Sequence, residues 1–122
     1  MPIYGIRGAT TVNHDKPEEI LEATREMLQQ ILLKNLALQP QDMASALFTL
    51  TEDLCSVYPA KAAREFGWTH VPLMCAREIP VPGSLPHCVR VLIHWNTTLR
   101  QDEIQHIYLR GAVVLRPDLK QT

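Results

Sequence analysis

"HCVRVLIHW", His87 to Trp95, is the run on which the reading of this chain turns. Its β-branched and aliphatic residues, at strand length, predict a largely buried central strand. Arg90 stands among Val89, Val91, Leu92 and Ile93, and nothing adjacent in sequence offsets its charge. A guanidinium buried without a partner costs several kcal/mol, on the order expected for desolvating one ion. An opposite charge from elsewhere in the chain, or from a ligand, is expected to meet it.

Other segments supply the rest of a sheet. "IYGIRGATTV" (Ile3 to Val12) predicts a strand in which Gly5 and Gly8 mark the close approach of a ligand or another backbone. "ASALFTLT" (Ala44 to Thr51) predicts a second strand. Val71 to Val81, interrupted by Pro72 and Pro80, predicts a short edge strand plus loop, and Ile107 to Leu109 a last strand before "RPDL". Between them, "NHDKPEEI" opens a helix, with Asp15 as the expected cap, Pro17 in the first turn and Glu18 and Glu19 at the positive end. Ile20, Leu21, Thr24, Met27, Leu28, Ile31 and Leu32 recur at helical spacing, which carries that helix to about Asn35. "QPQDM" predicts a helical turn. "YPAKAAREFG" predicts a short helix that starts near Pro59 and stops at Gly67. The expected architecture is α+β: one domain over residues 1–122, a mixed sheet of four to five strands, one long helix and one short one. A single long helix covers one face of such a sheet, so association with further copies is expected to cover the other.

Composition narrows the function. A chain of 122 residues, 46% hydrophobic and 20% charged, has the make-up of a single globular domain. Twelve Lys and Arg against thirteen Asp and Glu give a net charge of -1, so no overall field favours nucleic acid or an anionic membrane. Any anion site must be local. No basic region followed by a long apolar run opens the chain, and no apolar run approaches the ~20 residues of a membrane span. Cys55, Cys75 and Cys88 are odd in number and form no C-x-x-C pair. Reduced thiols, and hence a cytoplasmic protein, are expected.

Arginines are the candidate binding groups. Arg7 and Arg90 lie inside predicted strands, Arg116 follows the apolar "VVL", and Lys61 and Arg64 share a face of the short helix. The forked guanidinium suits carboxylates, so together they suggest a pocket for a small, multiply charged anion. Alternatively, each pairs with a structural carboxylate. There is no nucleophile elbow, and the five histidines show no metal-ligand spacing. "GIRG" is no phosphate loop. Glu78 is the one acid in the proline-bounded "MCAREIP", either a site acid or a solvated loop residue. What remains suits either a binding protein or an enzyme that works by electrostatics and shape alone.

These blocks resemble a known family. "GIRGATTV", "YPAKAAREFGW", "VPLMCAREI", "CVRVLIHW" and "HIYLRGAVVLRPDL" are similar, in register from Ile3 to Leu119, to the AroH class of chorismate mutases. The resemblance implies a homotrimeric pseudo-barrel with three sites in clefts between subunits. It also implies the rearrangement of chorismate to prephenate on the shikimate route to phenylalanine and tyrosine, without cofactor or metal. By the same resemblance, Arg7 and Tyr108 bind substrate carboxylate, and Arg90 reaches the ether oxygen and a carboxylate. Glu78 accepts from the ring hydroxyl, with Cys75 beside it. Tyr58, Ala60, Leu73, Met74 and Leu115 line the wall; Lys61, Arg64 and Arg116 stand at the mouth and lid. The family more often has Phe at position 58 and Val and Thr at 73 and 74, so the hydroxyl of Tyr58 and the flexible Met74 bear on affinity. Two rivals stay open: a non-catalytic trimer that binds a carboxylate metabolite, and an isomerase or lyase on this scaffold in which Cys75 acts chemically.

Overall fold

Residues Cys88–Asn96 form the middle strand of a five-stranded mixed sheet in the computed structural model, which describes residues 1–115. In chain order the elements are β1 (Ile3–Thr11), α1 (Pro17–Lys34), β2 (Met43–Leu50), α2 (Ala60–Glu65), β3 (Leu73–Arg77), β4 (Cys88–Asn96) and β5 (Ile107–Tyr108). Short 3-10 turns cover Pro40–Asp42, Gln101–Glu103 and Arg110–Leu115. The strand order is β3-β2-β4-β1-β5, with β4 antiparallel to both β1 and β2, and the two edge strands parallel to their neighbours. Each expected element is present, with β3 at an edge.

Alternation along β4 sets the two faces of the sheet. Val89, Val91, Ile93 and Trp95 are buried on the side covered by α1, with Ile6, Phe48, Met27, Leu28 and Ile31 in the same core. Arg90, Leu92 and His94 alternate with them and therefore point to the other face. The expectation of a buried Arg90 is corrected accordingly: its side chain is 42% exposed, because period two carries it away from the helix-side core.

Gly8 meets helix rather than ligand on the core side. A Cβ there would stand 2.9 Å from Ile31 Cδ1 and 3.1 Å from Val91 Cγ1, so the absent side chain lets β1 lie against α1. Gly67, with φ at +88°, stops α2 as expected.

Asp15 does not cap α1. Lys16 occupies the N-cap position without a side-chain cap. Asp15 Oδ1 instead accepts the Cys55 and Ser56 amides at 3.0 and 3.1 Å, and hydrogen bonds from these two residues hold its carboxyl below the usual range. At the other end, buried Asn35 donates to Ile31 O and Gln105 O and accepts from the Gln105 amide, which ties α1 to the approach to β5.

The next residue closes a second tie. His106 Nδ1 accepts the Arg7 amide at 2.9 Å, and burial pushes the imidazole below its usual value of 6.5. A proton on Nδ1 would face that N–H, so folding favours the neutral ring. Because the unfolded chain takes up the proton first, this contribution is complete above pH 6.5 and is lost as pH falls through the lower folded value. Denaturant unfolding at pH 7.5 and 5.5 should therefore show an acid-side loss that is smaller in His106→Asn, whose Oδ1 can accept in place of Nδ1. An equal loss in both proteins would remove His106 from the account.

Candidate active site

Sheet register lays the first half of the site out as a row. Ala9 and Thr49 are the partners of Arg90 across the two ladders of β4, and Tyr108 is the partner of Ala9 on β5. On the next row of the same face, Arg7 and Leu47 flank Leu92. Thus β1, β2, β4 and β5 each present residues to the side that α1 leaves uncovered. A cavity of about 310 Å³ opens there, lined among others by Arg7, Thr49, Glu78, Arg90, Tyr108 and Leu115.

Glu78 enters from the loop after β3. Its backbone N–H donates to Leu50 O at 2.9 Å, which continues the β2–β3 ladder by one bond past the strand. The carboxylate is 21% exposed; Oε2 lies 3.5 Å from Arg90 Nε and accepts a hydrogen bond from the Thr49 hydroxyl. Glu78 is therefore no solvated loop acid, and it is the opposite charge that Arg90 required. That Nε is buried and makes no hydrogen bond among the described residues.

Ala9 and Tyr108 of this row join Cys88 and Ala112 in a small apolar cluster, the floor of the site, with Leu85 and Leu115 packed against it. Burial pushes the Cys88 thiol up, against the pull of the nearby Arg90 charge, so it is a neutral member of that floor. A floor of this kind lowers the local dielectric and strengthens the field of the cations above it.

The other expected residues stand elsewhere. Tyr58, Ala60, Arg64, Leu73, Met74 and Cys75 line a separate cavity at the β3 edge, and it shares no residue with the first. Tyr58 is 70% and Met74 69% exposed. Lys61 is exposed on α2 nearby and lines neither cavity. Arg116 lies outside the described residues. Cys75 was expected beside Glu78, and here the structure differs. Cys75 pairs with buried Phe48 and packs against the helix-side core. Positions 75 and 78 differ by an odd number, so an extended chain sends them to opposite faces.

Leu47, Thr49, Leu92 and Cys88 were not anticipated at the site. Leu47, Thr49 and Leu92 line the cavity, and Cys88 belongs to its floor. The signal for them was strand parity relative to Arg90, which needs the β2–β4 register to be read. Among the described residues no group of His, Cys, Asp and Glu is arranged to hold a metal ion, and no helix is long and apolar enough to cross a membrane. Two cations, a loop-borne carboxylate and a phenol around a small apolar-floored cavity can bind and orient a polyanion. They offer no nucleophile and no relay for protons.

Comparison with known proteins is consistent with that chemistry. The family Chorismate mutase type I matches residues 3–119. The chain is 54% identical over 118 residues to Chorismate mutase AroH of Thermus thermophilus, which spans 97% of each protein. It is 48% identical over 123 residues to Chorismate mutase AroH of Bacillus subtilis (strain 168), spanning 100% of this chain and 96% of the relative. Among solved structures it is similar to a chorismate mutase from Clostridium thermocellum, with a TM-score of 0.88, 47% identity, and coverage of 91% of this chain and 98% of that one.

Proposed function

Because the chain belongs to the chorismate mutase type I family, we propose that it converts chorismate to prephenate and that Arg7, Glu78, Arg90 and Tyr108 carry the reaction. One observation supports these four above all: residues from three strands and a loop converge on one cavity, with Arg90 Nε buried and without a hydrogen bond among the described residues.

The chemistry needs little else. A C–O bond breaks as a C–C bond forms within one molecule, so no nucleophile, metal or proton carrier is required. Arg7 and Tyr108 bind carboxylate and Glu78 accepts from the ring hydroxyl, which holds the flexible substrate folded near its reactive geometry. Arg90 donates to the ether oxygen, where negative charge grows as the C–O bond lengthens. Only the part of that attraction that appears on the way to the transition state speeds the reaction.

One copy carries the site in two pieces. We take the working protein to be a homotrimer in which the cavity of one copy is closed by the β3 edge of the next, consistent with two groups of residues that share no member. In that arrangement Tyr58, Ala60, Leu73, Met74 and Cys75 form a wall from the neighbour, Leu115 a wall from the home chain, and Lys61 and Arg64 the basic rim. Residues 1–122 act as one cytoplasmic domain whose partners are chorismate and further copies of itself.

Loss of chorismate absorbance with detection of prephenate tests the reading. Purified chain should turn chorismate over without added metal or cofactor, at a rate that varies little from pH 6.5 to 8.5, because no proton moves in the step. Chorismate that is bound and left unchanged would favour the carboxylate-binding alternative. A sharp bell centred on neutral pH would point to acid–base chemistry instead.

A further inference from the structure

Glu78 and Arg90 form an ion pair at 3.5 Å, yet among the described residues no hydrogen bond closes at Arg90 Nε. Resting on the site reading above, we propose that Thr49 is a positioning residue whose hydroxyl holds the Glu78 carboxylate short of a hydrogen bond with the Arg90 guanidinium, leaving that guanidinium to substrate.

Three observations meet at one oxygen. Glu78 Oε2 lies 3.5 Å from Arg90 Nε. A guanidinium and a carboxylate left to themselves close to hydrogen-bond contact, about 2.7–2.9 Å. Arg90 Nε is nonetheless buried without a hydrogen bond among the described residues, a costly state that needs a cause. Thr49 Oγ1 donates to the same Oε2, and by this proposal the pull of that bond, rather than a filled acceptor, sets where the carboxylate rests. Register puts Thr49 there, since it is the β2 partner of Arg90 and shares its face.

The location of Glu78 explains why a restraint is needed. Its backbone is fixed by the bond to Leu50 O, but it lies beyond Arg77, the last residue of β3, in the loop that follows. Without a second anchor the carboxylate is free to swing onto Arg90. The closed pair would have to be broken, and a desolvated Nε–H exposed, each time substrate entered. A hydroxyl suits the task because it donates to the carboxylate without adding a positive charge to compete with Arg90. Held this way, Glu78 keeps its second oxygen, Oε1, out of both contacts and available to a ligand hydroxyl.

Steady-state kinetics on chorismate and a ligand-free crystal structure test the proposal together. Thr49→Val removes the hydroxyl at nearly constant shape. It should raise KM about tenfold with a smaller change in kcat, the mark of a cost paid before binding. Thr49→Ser should stay within about twofold of wild type, because it keeps the donor. In a Glu78→Ala background Thr49→Val should change kcat/KM less than about twofold, since there is no carboxylate left to restrain. In the crystal structure of Thr49→Val, the Oε2–Nε separation should shorten from 3.5 Å to hydrogen-bond distance. An unchanged separation overturns the proposal even if the wild-type chain proves inactive on chorismate, an outcome that sinks only the functional reading. Wild-type kinetics in Thr49→Val, an equal loss in the Glu78→Ala background, or no rescue by serine also overturns it. Should Thr49→Val fail to fold by circular dichroism, Thr49→Ala takes its place in every arm.

Discussion

Arg90→Ala should lower kcat by at least 10²- to 10³-fold, the order seen when a donor to a developing oxyanion is removed, while the thermal midpoint changes by only a few degrees. The two halves of that expectation come from the two faces of β4. On the helix side Val89, Val91, Ile93 and Trp95 supply the packing, and the substitution leaves all four in place. On the cavity side the guanidinium is 42% exposed and contributes one ion pair to the fold, at 3.5 Å, so little stability goes with it. Its loss removes the cation and leaves the Glu78 carboxylate facing an oxygen that is becoming negative. Arg90→Lys sharpens the test. Lysine keeps the charge as a mobile point and loses the planar fork, so turnover should stay well below wild type. Turnover of Arg90→Ala within tenfold of wild type would end the electrostatic account.

Two crippled copies should restore one another. Arg90→Ala damages the main cavity and leaves the β3-edge group intact, whereas Arg64→Glu does the reverse by setting an acid against an anionic substrate. Each variant alone should be slow, the second by at least about tenfold from like-charge repulsion. When the variants are unfolded together, refolded and mixed in equal amounts, random head-to-tail assembly pairs an intact cavity with an intact edge at roughly a quarter of the interfaces. Activity should recover to about that fraction of wild type. A mixture no faster than the mean of its two components would mean that each site is built within a single chain.

How much of this was legible before the coordinates depended on the distance over which each signal acts. Strand and helix periods are local, so β4 and α1 could be read from neighbouring residues, down to Asn35 at the end of the helix. Arg7, Glu78, Arg90 and Tyr108 were nominated from charge placement and resemblance, and their convergence on one cavity depends on cross-strand register. Asp15 was misread for the same reason. By local rules it caps a helix, yet its partners lie 40 and 41 residues away. Cys75 comes from the resemblance, and within one chain its partner is Phe48 on the helix side of the sheet, a placement that needs the β2–β3 register to be read. Thr49 gave no warning, since threonine in a strand is ordinary and its meaning comes from the loop carboxylate it touches.

The sheet is a wall one residue thick between the hydrophobic core and the cavity, and at Gly8 no side chain thickens it. That residue faces the cavity with its backbone, while Ile31 and Met27 of α1 press on its other side with no side chain between. Volume changes deep in the helix interface are thus transmitted directly to the strand that holds Arg7. Trimming Ile31 to valine should register in substrate affinity as well as in melting temperature, and randomising the Met27–Ile31 turn becomes a way to retune the pocket without altering any residue that lines it.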